Sequence, residues 1–139
     1  MLNHVVWFRC YCRRDIVYFD GDAVTEHDEQ VTLFTLAALH ETQYPELAWL
    51  HAIPNGGLRN PRVAIKLKAE GVKAGVWDVF LPVARQGYHG LYIEMKCGKN
   101  KLTPNQREFQ EFIDRQGYAH MVCYNGETAY HLVEKYLEE

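Results

Sequence analysis

Two carboxylates and an ammonium interrupt an apolar stretch in the middle of the chain, VWDVFLPVARQGYHGLYIEMK, residues 76–96. They are Asp78, Glu94 and Lys96. Charges among apolar residues are costly unless they are paired or hold a metal. Two neighbouring carboxylates repel each other unless something positive lies between them. A hard divalent cation suits oxygen ligands, and Mg²⁺ typically takes one or two carboxylates while keeping several waters. A lysine beside such a pair can orient or activate a water, or offset charge developing on a phosphate. The competing reading is a surface salt bridge of Lys96 with Glu94 and Asp78 on a solvated sheet face.

The elements around these residues decide whether they can meet. Trp77, Val79, Leu81 and Val83 alternate with Asp78, Phe80 and Pro82, and Leu91, Ile93 and Met95 alternate with Tyr92, Glu94 and Lys96. Both runs have the period of a strand. Between them ARQGYHG supplies glycines and polar residues for a hairpin loop. Matching the apolar faces of an antiparallel pair sets Leu81 against Leu91, Val79 against Ile93 and Trp77 against Met95. The same register puts Asp78 opposite Glu94, with Lys96 two residues on.

Upstream, TEHDEQVTLFTLAALHET reads as a helix with Thr25 as N-cap and acids in its first turn. Glu26, Gln30, Leu33 and Ala37 fall on one stripe of it. HAIPNGG, residues 51–57, reads as a strand end and loop. Asn60 and Pro61 then start a helix that carries Arg62, Lys66 and Lys68 and ends at Gly71. Thr103 and Pro104 start a further helix with Phe109, Phe112 and Ile113 as its apolar stripe and Gln106 in its first turn, on the side reached from Lys96. YAHMVCY is a short buried strand. GETAYHLVEKYL closes the series as a helix with Ala129, Leu132, Val133 and Tyr136 inward. The first 20 or so residues are rich in β-formers and can add a hairpin. The order predicts an α/β domain with a mixed sheet flanked by helices.

A chain of 139 residues with 47% hydrophobic and 24% charged side chains fits one globular domain with a real core. No apolar run approaches a membrane span and no signal-peptide pattern opens the chain, so a cytoplasmic protein with reduced thiols is expected. Cys10 and Cys12 form the only close cysteine pair, and the seven histidines show no metal-ligand spacing. The net charge of −3 hides an asymmetry: residues 59–101 hold nine basic side chains against three acids, and the rest holds six against fifteen. Two of those three acids are Asp78 and Glu94. Local positive charge is what a polyanion meets, so this segment favours phosphate-rich substrates despite the net charge. A solvated basic face is the alternative.

At this point the chain resembles a family. Asp78 followed by Glu94-Met95-Lys96 has the form of the PD-(D/E)xK nuclease motif, and its surroundings are similar to the virus-type replication-repair nuclease (VRR-NUC) domain. The similarity is carried by EHDEQ (26–30), IPNGGLRN (53–60), KAEGVKAGVWD (68–78), GLYIEMK (90–96), LTPNQREF (102–109) and GYAHMVCYNGETA (117–129). Trp77 departs from it, since the family usually has proline before the aspartate.

The resemblance implies a restriction-endonuclease-like fold over residues 24–139, with 1–23 as a β-rich extension. It further implies Asp78, Glu94, Lys96, Glu26 and Gln106 as catalytic residues. Asp78, Glu94, the Met95 carbonyl and Glu26 would hold one or two Mg²⁺ or Mn²⁺ ions, with Glu29 a rival for the role of Glu26. Gln30, Lys73, Lys99, Lys101, Arg59, Arg62 and Lys66 would contact DNA. The implied activity is a structure-selective DNA endonuclease, a Holliday-junction resolvase acting as a homodimer on branched DNA. A flap, nicking or restriction-type nuclease and a non-catalytic DNA-binding module are the alternatives.

Overall fold

The computed structural model describes residues 24–54 and 60–138. The expected N-terminal hairpin, the Cys10–Cys12 pair and Arg59 lie outside the described residues. Within them the order is α1 (Glu26–His40), a 3₁₀ turn (Pro45–Trp49), β1 (His51–Ala52), α2 (Pro61–Ala69), β2 (Val79–Leu81), β3 (Leu91–Met95), α3 (Pro104–Arg115), β4 (Ala119–Cys123) and α4 (Gly126–Glu138). The strands form one sheet in the order β1-β2-β3-β4. β1, β2 and β3 run antiparallel, and β3 and β4 run parallel with α3 as their crossover. This is the mixed sheet flanked by helices that the sequence predicts.

Local chemistry starts the helices where expected. Thr25 accepts from Asp28 N–H while Asp28 reaches back to the Thr25 backbone, a complete capping box. Asn60 caps α2 with Pro61 behind it. Thr103 and Gln106 form a second capping box on α3. The apolar pattern does not reveal the 3₁₀ turn at Pro45–Trp49. It follows from Pro45 fixing the backbone after α1, and Leu47 anchors it in the core.

The sheet divides two apolar layers. Val79, Leu81, Leu91, Ile93 and Met95 pack with Leu33 and Ala37 of α1 and Ala129, Tyr130 and Val133 of α4. On the other face α3 packs against β4, with Ile113 buried. The rest of the expected α3 stripe is more open: Phe112 is 51% exposed, and Phe109 sets its ring edge-on to Tyr92. Trp77 also departs from expectation. β2 begins only at Val79, so the alternation does not reach Trp77. The indole turns to the α3 side, donates to the Gln106 carbonyl (3.0 Å) and meets the His120 ring edge-on.

The helices of the first layer touch at Gly126. A side chain there would place its Cβ 2.1 Å from the Glu29 carbonyl oxygen and 2.7 Å from Thr32 Cβ, so only glycine permits the approach. Glu29 completes this junction by accepting from Gly126 N–H through Oε2 at 2.6 Å. Gly126→Ala is therefore expected to force α1 and α4 apart and lower stability by about 1–3 kcal/mol, read as a fall in the urea midpoint. An unchanged midpoint would show that the two helices have room to spare.

Candidate active site

The β2–β3 register is the one the apolar pattern predicts: Val79 faces Ile93 and Leu81 faces Leu91. Asp78 sits in the bend just before β2. Its Oδ2 accepts from Met95 N–H at 3.0 Å, and its carbonyl accepts from Ile53 N–H at 2.7 Å. The aspartate is thereby held at the junction of three strands. Glu94 on β3 is 1% exposed, and Lys96, which continues the pairing through Lys96 N–H to the Cys123 carbonyl, is 7% exposed. Lys96 Nζ lies 2.9 Å from Glu94 Oε1, and Gln106 Nε2 donates to the same oxygen.

The second capping box has a functional consequence. Gln106 Oε1 accepts from Thr103 N–H at 2.9 Å, which turns the amide so that its NH₂ end faces Glu94. Trp77, by gripping the Gln106 carbonyl, fixes the same turn of α3 from the Asp78 side. Gly75 supplies the close approach: a Cβ there would lie 2.7 Å from Asn105 backbone atoms. Trp77 and Thr103 thus both hold Gln106, which the pattern of charges alone does not reveal.

Glu94 Oε1 carries two donors, while Oε2 is buried with no hydrogen-bond partner. Leaving such an atom unmet costs on the order of 1–3 kcal/mol. Burial pushes the Glu94 carboxyl up to about 7, and the charge of Asp78 adds to that, against the downward pull of Lys96. The salt-bridge reading required a solvated face. This pair is instead desolvated, with a second carboxylate beside it.

Other expected residues surround this centre or stand away from it. Glu26 Oε1 accepts from Asn100 Nδ2 at 3.3 Å, and the Asn100 carbonyl accepts from Tyr124 O–H at 2.8 Å. The loop bearing Lys99 and Lys101 is thereby pinned beside the start of α1, with both lysines exposed. Lys73 is exposed in the turn that docks on α3 through Gly75. Arg62 and Lys66 lie on the exposed helix α2, where Lys66 is 3.9 Å from Glu70. Gln30 lines an open groove of about 700 Å³ with Val31, Phe34 and Leu39. Glu29, the alternative to Glu26, accepts from Gly126 N–H at the α1–α4 junction. Asn100 carried no signal in the sequence beyond its place in a short polar loop.

The VRR-NUC domain model matches residues 24–126 of the chain. The chain belongs to the VRR-NUC family. It is also similar to a solved "VRR_NUC domain protein" at 28% identity and a TM-score of 0.69, over 84% of this chain and 91% of that one. No curated protein matches it. Membership makes this a nuclease-type domain. Helix α4 begins where the family match ends, although it closes the VRR-NUC core here. No helix among the described residues is long and apolar enough to cross a membrane.

The VRR-NUC centre fits a divalent cation by a test internal to the site. A buried carboxylate oxygen without a donor, next to a second carboxylate, is an arrangement a cation would satisfy. Among the described residues no three of His, Cys, Asp and Glu are grouped to hold a metal. Two carboxylates are what a hard cation such as Mg²⁺, which keeps several waters, usually takes.

Stability should report this without any cleavage assay. In EDTA the folded Glu94, near 7, holds a proton that the unfolded chain, near 4.5, releases. That contribution is fully present below about pH 4.5 and is lost as pH rises through about 7, for a total of about 3 kcal/mol. Thermal unfolding in EDTA should thus show Tm falling from pH 5 to pH 8. Asp78→Asn, which keeps the acceptor for Met95 N–H but removes the repelling charge, should flatten the fall. Mn²⁺ at pH 8 should raise Tm in the wild type and not in Asp78→Asn. Equal responses in both proteins would rule out a cation at this pair.

Proposed function

We propose that the chain is a divalent-cation-dependent, structure-selective DNA endonuclease that cuts four-way junctions as a homodimer. The observation that carries this reading is the buried Glu94 carboxylate, with one oxygen held by Lys96 and Gln106 and the other without a partner beside Asp78. Asp78, Glu94 and the Met95 carbonyl would hold Mg²⁺ or Mn²⁺, and Glu26, tied to Asn100, would act through an intervening water. When bound, the cation supplies Lewis acidity toward the phosphoryl group and lowers the pKa of a neighbouring water.

The chain's own residues do the rest. Lys96, held against Glu94, orients the attacking water and offsets negative charge growing on the phosphate. Gln106 and Trp77 keep Glu94 and Asp78 from separating. Lys73, Lys99 and Lys101 take phosphates on either side of the cut, with Arg59, Arg62, Lys66 and Gln30 extending the contact along the DNA. Two symmetric cuts across a junction require two centres, hence a dimer.

A DNA-binding module without catalysis would have no use for a buried carboxylate, repelled by a second beside it, next to a buried lysine. Labelled four-way, flap and linear DNA, digested with Mg²⁺ or Mn²⁺, tests the reading. Paired nicks at the junction centre are expected. Preferential cutting of a flap would move the substrate to that class, and no cutting of any DNA would end the nuclease proposal.

A further inference from the structure

One row of the sheet lies next to the carboxylates and takes no part in the chemistry described so far. His51 on β1 pairs with Phe80 on β2, Phe80 with Tyr92 on β3, and Tyr92 with His120 on β4. Phe80 and Tyr92 stack with ring centroids 4.4 Å apart at 25°, and His51 stands at right angles to Phe80 at 5.8 Å. Phe80 follows Asp78, in the bend before β2, by two residues, and Tyr92 lies two positions from Glu94 along β3, on the same face. That separation is about 7 Å, the reach of a single nucleotide step.

The row is covered from the β4 side, where Tyr118 stands edge-on to both Tyr92 and Phe80. Helix α3 packs on β4, and Phe109 closes on Tyr92 from that side. Phe80 lies two strands from β4, is half-buried, and is followed at the sheet edge by the exposed His51. His51 Nδ1–H donates to the Trp49 carbonyl at 2.8 Å, and the Trp49 side chain is 68% exposed. Gly90 makes room for the row: a Cβ there would lie 2.9 Å from Phe80 Cε2. Past the rings that Phe109 and Tyr118 cover, the row continues to the exposed His51 at the sheet edge.

We propose that Phe80, with Tyr92 behind it and His51 and Trp49 at its open edge, is a stacking subsite for an unpaired base one nucleotide from the cut. The occupant is a single-stranded stretch of DNA at a branch point. Aromatic side chains bind every base by its π-face without reading sequence. Lys73, in the turn that docks on α3, and Lys99 and Lys101, in the loop that follows Lys96, are exposed and supply the positive charge that a strand backbone needs. This inference rests on the nuclease reading and narrows it, because a wholly paired duplex has no base to offer the row.

The test is binding in EDTA, where nothing is cut. The probes are a fork carrying 2-aminopurine at its first unpaired nucleotide and a blunt duplex of the same sequence. Wild-type protein should quench the 2-aminopurine and bind the fork more tightly than the duplex. Phe80→Leu, which keeps apolar volume but removes the ring, should lose the quench and about tenfold of fork affinity, with duplex affinity unchanged. His51→Ala, at an exposed position, should move in the same direction and decides the matter if Phe80→Leu fails to fold. Wild-type-like quenching by the folded variants, equal losses on fork and duplex, or no binding of either DNA would each overturn the subsite. Cleavage by the wild type in Mg²⁺ is scored separately. Intact cleavage without the quench removes the subsite alone, and a quench without cleavage of any DNA removes the nuclease reading.

Discussion

Glu94→Gln is expected to reduce cleavage at least about a thousandfold, on the order of 4 kcal/mol in the barrier, while DNA binding persists. The substitution keeps the side chain's length and leaves an oxygen for Lys96 and Gln106, so the local hydrogen bonds survive. What it removes is the negative charge that would hold the cation. Binding persists because phosphate affinity comes from the basic segment, which the change does not touch. Single-turnover rates and gel shifts on the same labelled junction provide both readouts. Cleavage within tenfold of wild type would take Glu94 out of the chemistry.

Lys96→Met should cost roughly a hundredfold or more in single-turnover rate at saturating Mg²⁺, with the protein folded, binding junctions and binding metal. An exposed ion pair contributes about 1 kcal/mol or less, but Lys96 is 7% exposed and lies 2.9 Å from a buried partner. Its loss acts twice. The charge facing the phosphate disappears, and Glu94 loses the neighbour that pulls its carboxyl down. The rate–pH profile of Lys96→Met should therefore shift to higher pH as well as fall. A loss under about fivefold, roughly 1 kcal/mol, would return Lys96 to a structural role.

Much of this arrangement was legible in the residues. Strict apolar alternation in two short runs fixes the β2–β3 register, because a slip of one residue would turn every side chain to the wrong face. The caps at Thr25, Asn60 and Thr103 are local chemistry and sit where the sequence puts them. Periodicity misplaces Trp77 because it holds only inside a strand, and β2 starts two residues later. Glu29 and Glu26 could not be told apart from sequence, since both lie in the first turn of α1. Only the docking of α4 draws Glu29 away. The aromatic row was hidden for a similar reason. His51, Phe80 and Tyr92 are remote in sequence, and only the pairing of three strands lines them up.

The junction of Glu29 with Gly126 joins positions 97 residues apart. At roughly 5–20 residues per second of synthesis, α1 waits on the order of ten seconds for its partner to leave the ribosome. Until then Leu33 and Ala37 have no α4 to cover them, and the apolar side of β3, the strand that presents Glu94, lacks Ala129, Tyr130 and Val133. A nascent chain can thus display every residue of the centre and still lack the layer that holds them in register. The centre is set late, with the helix that begins where the family match ends.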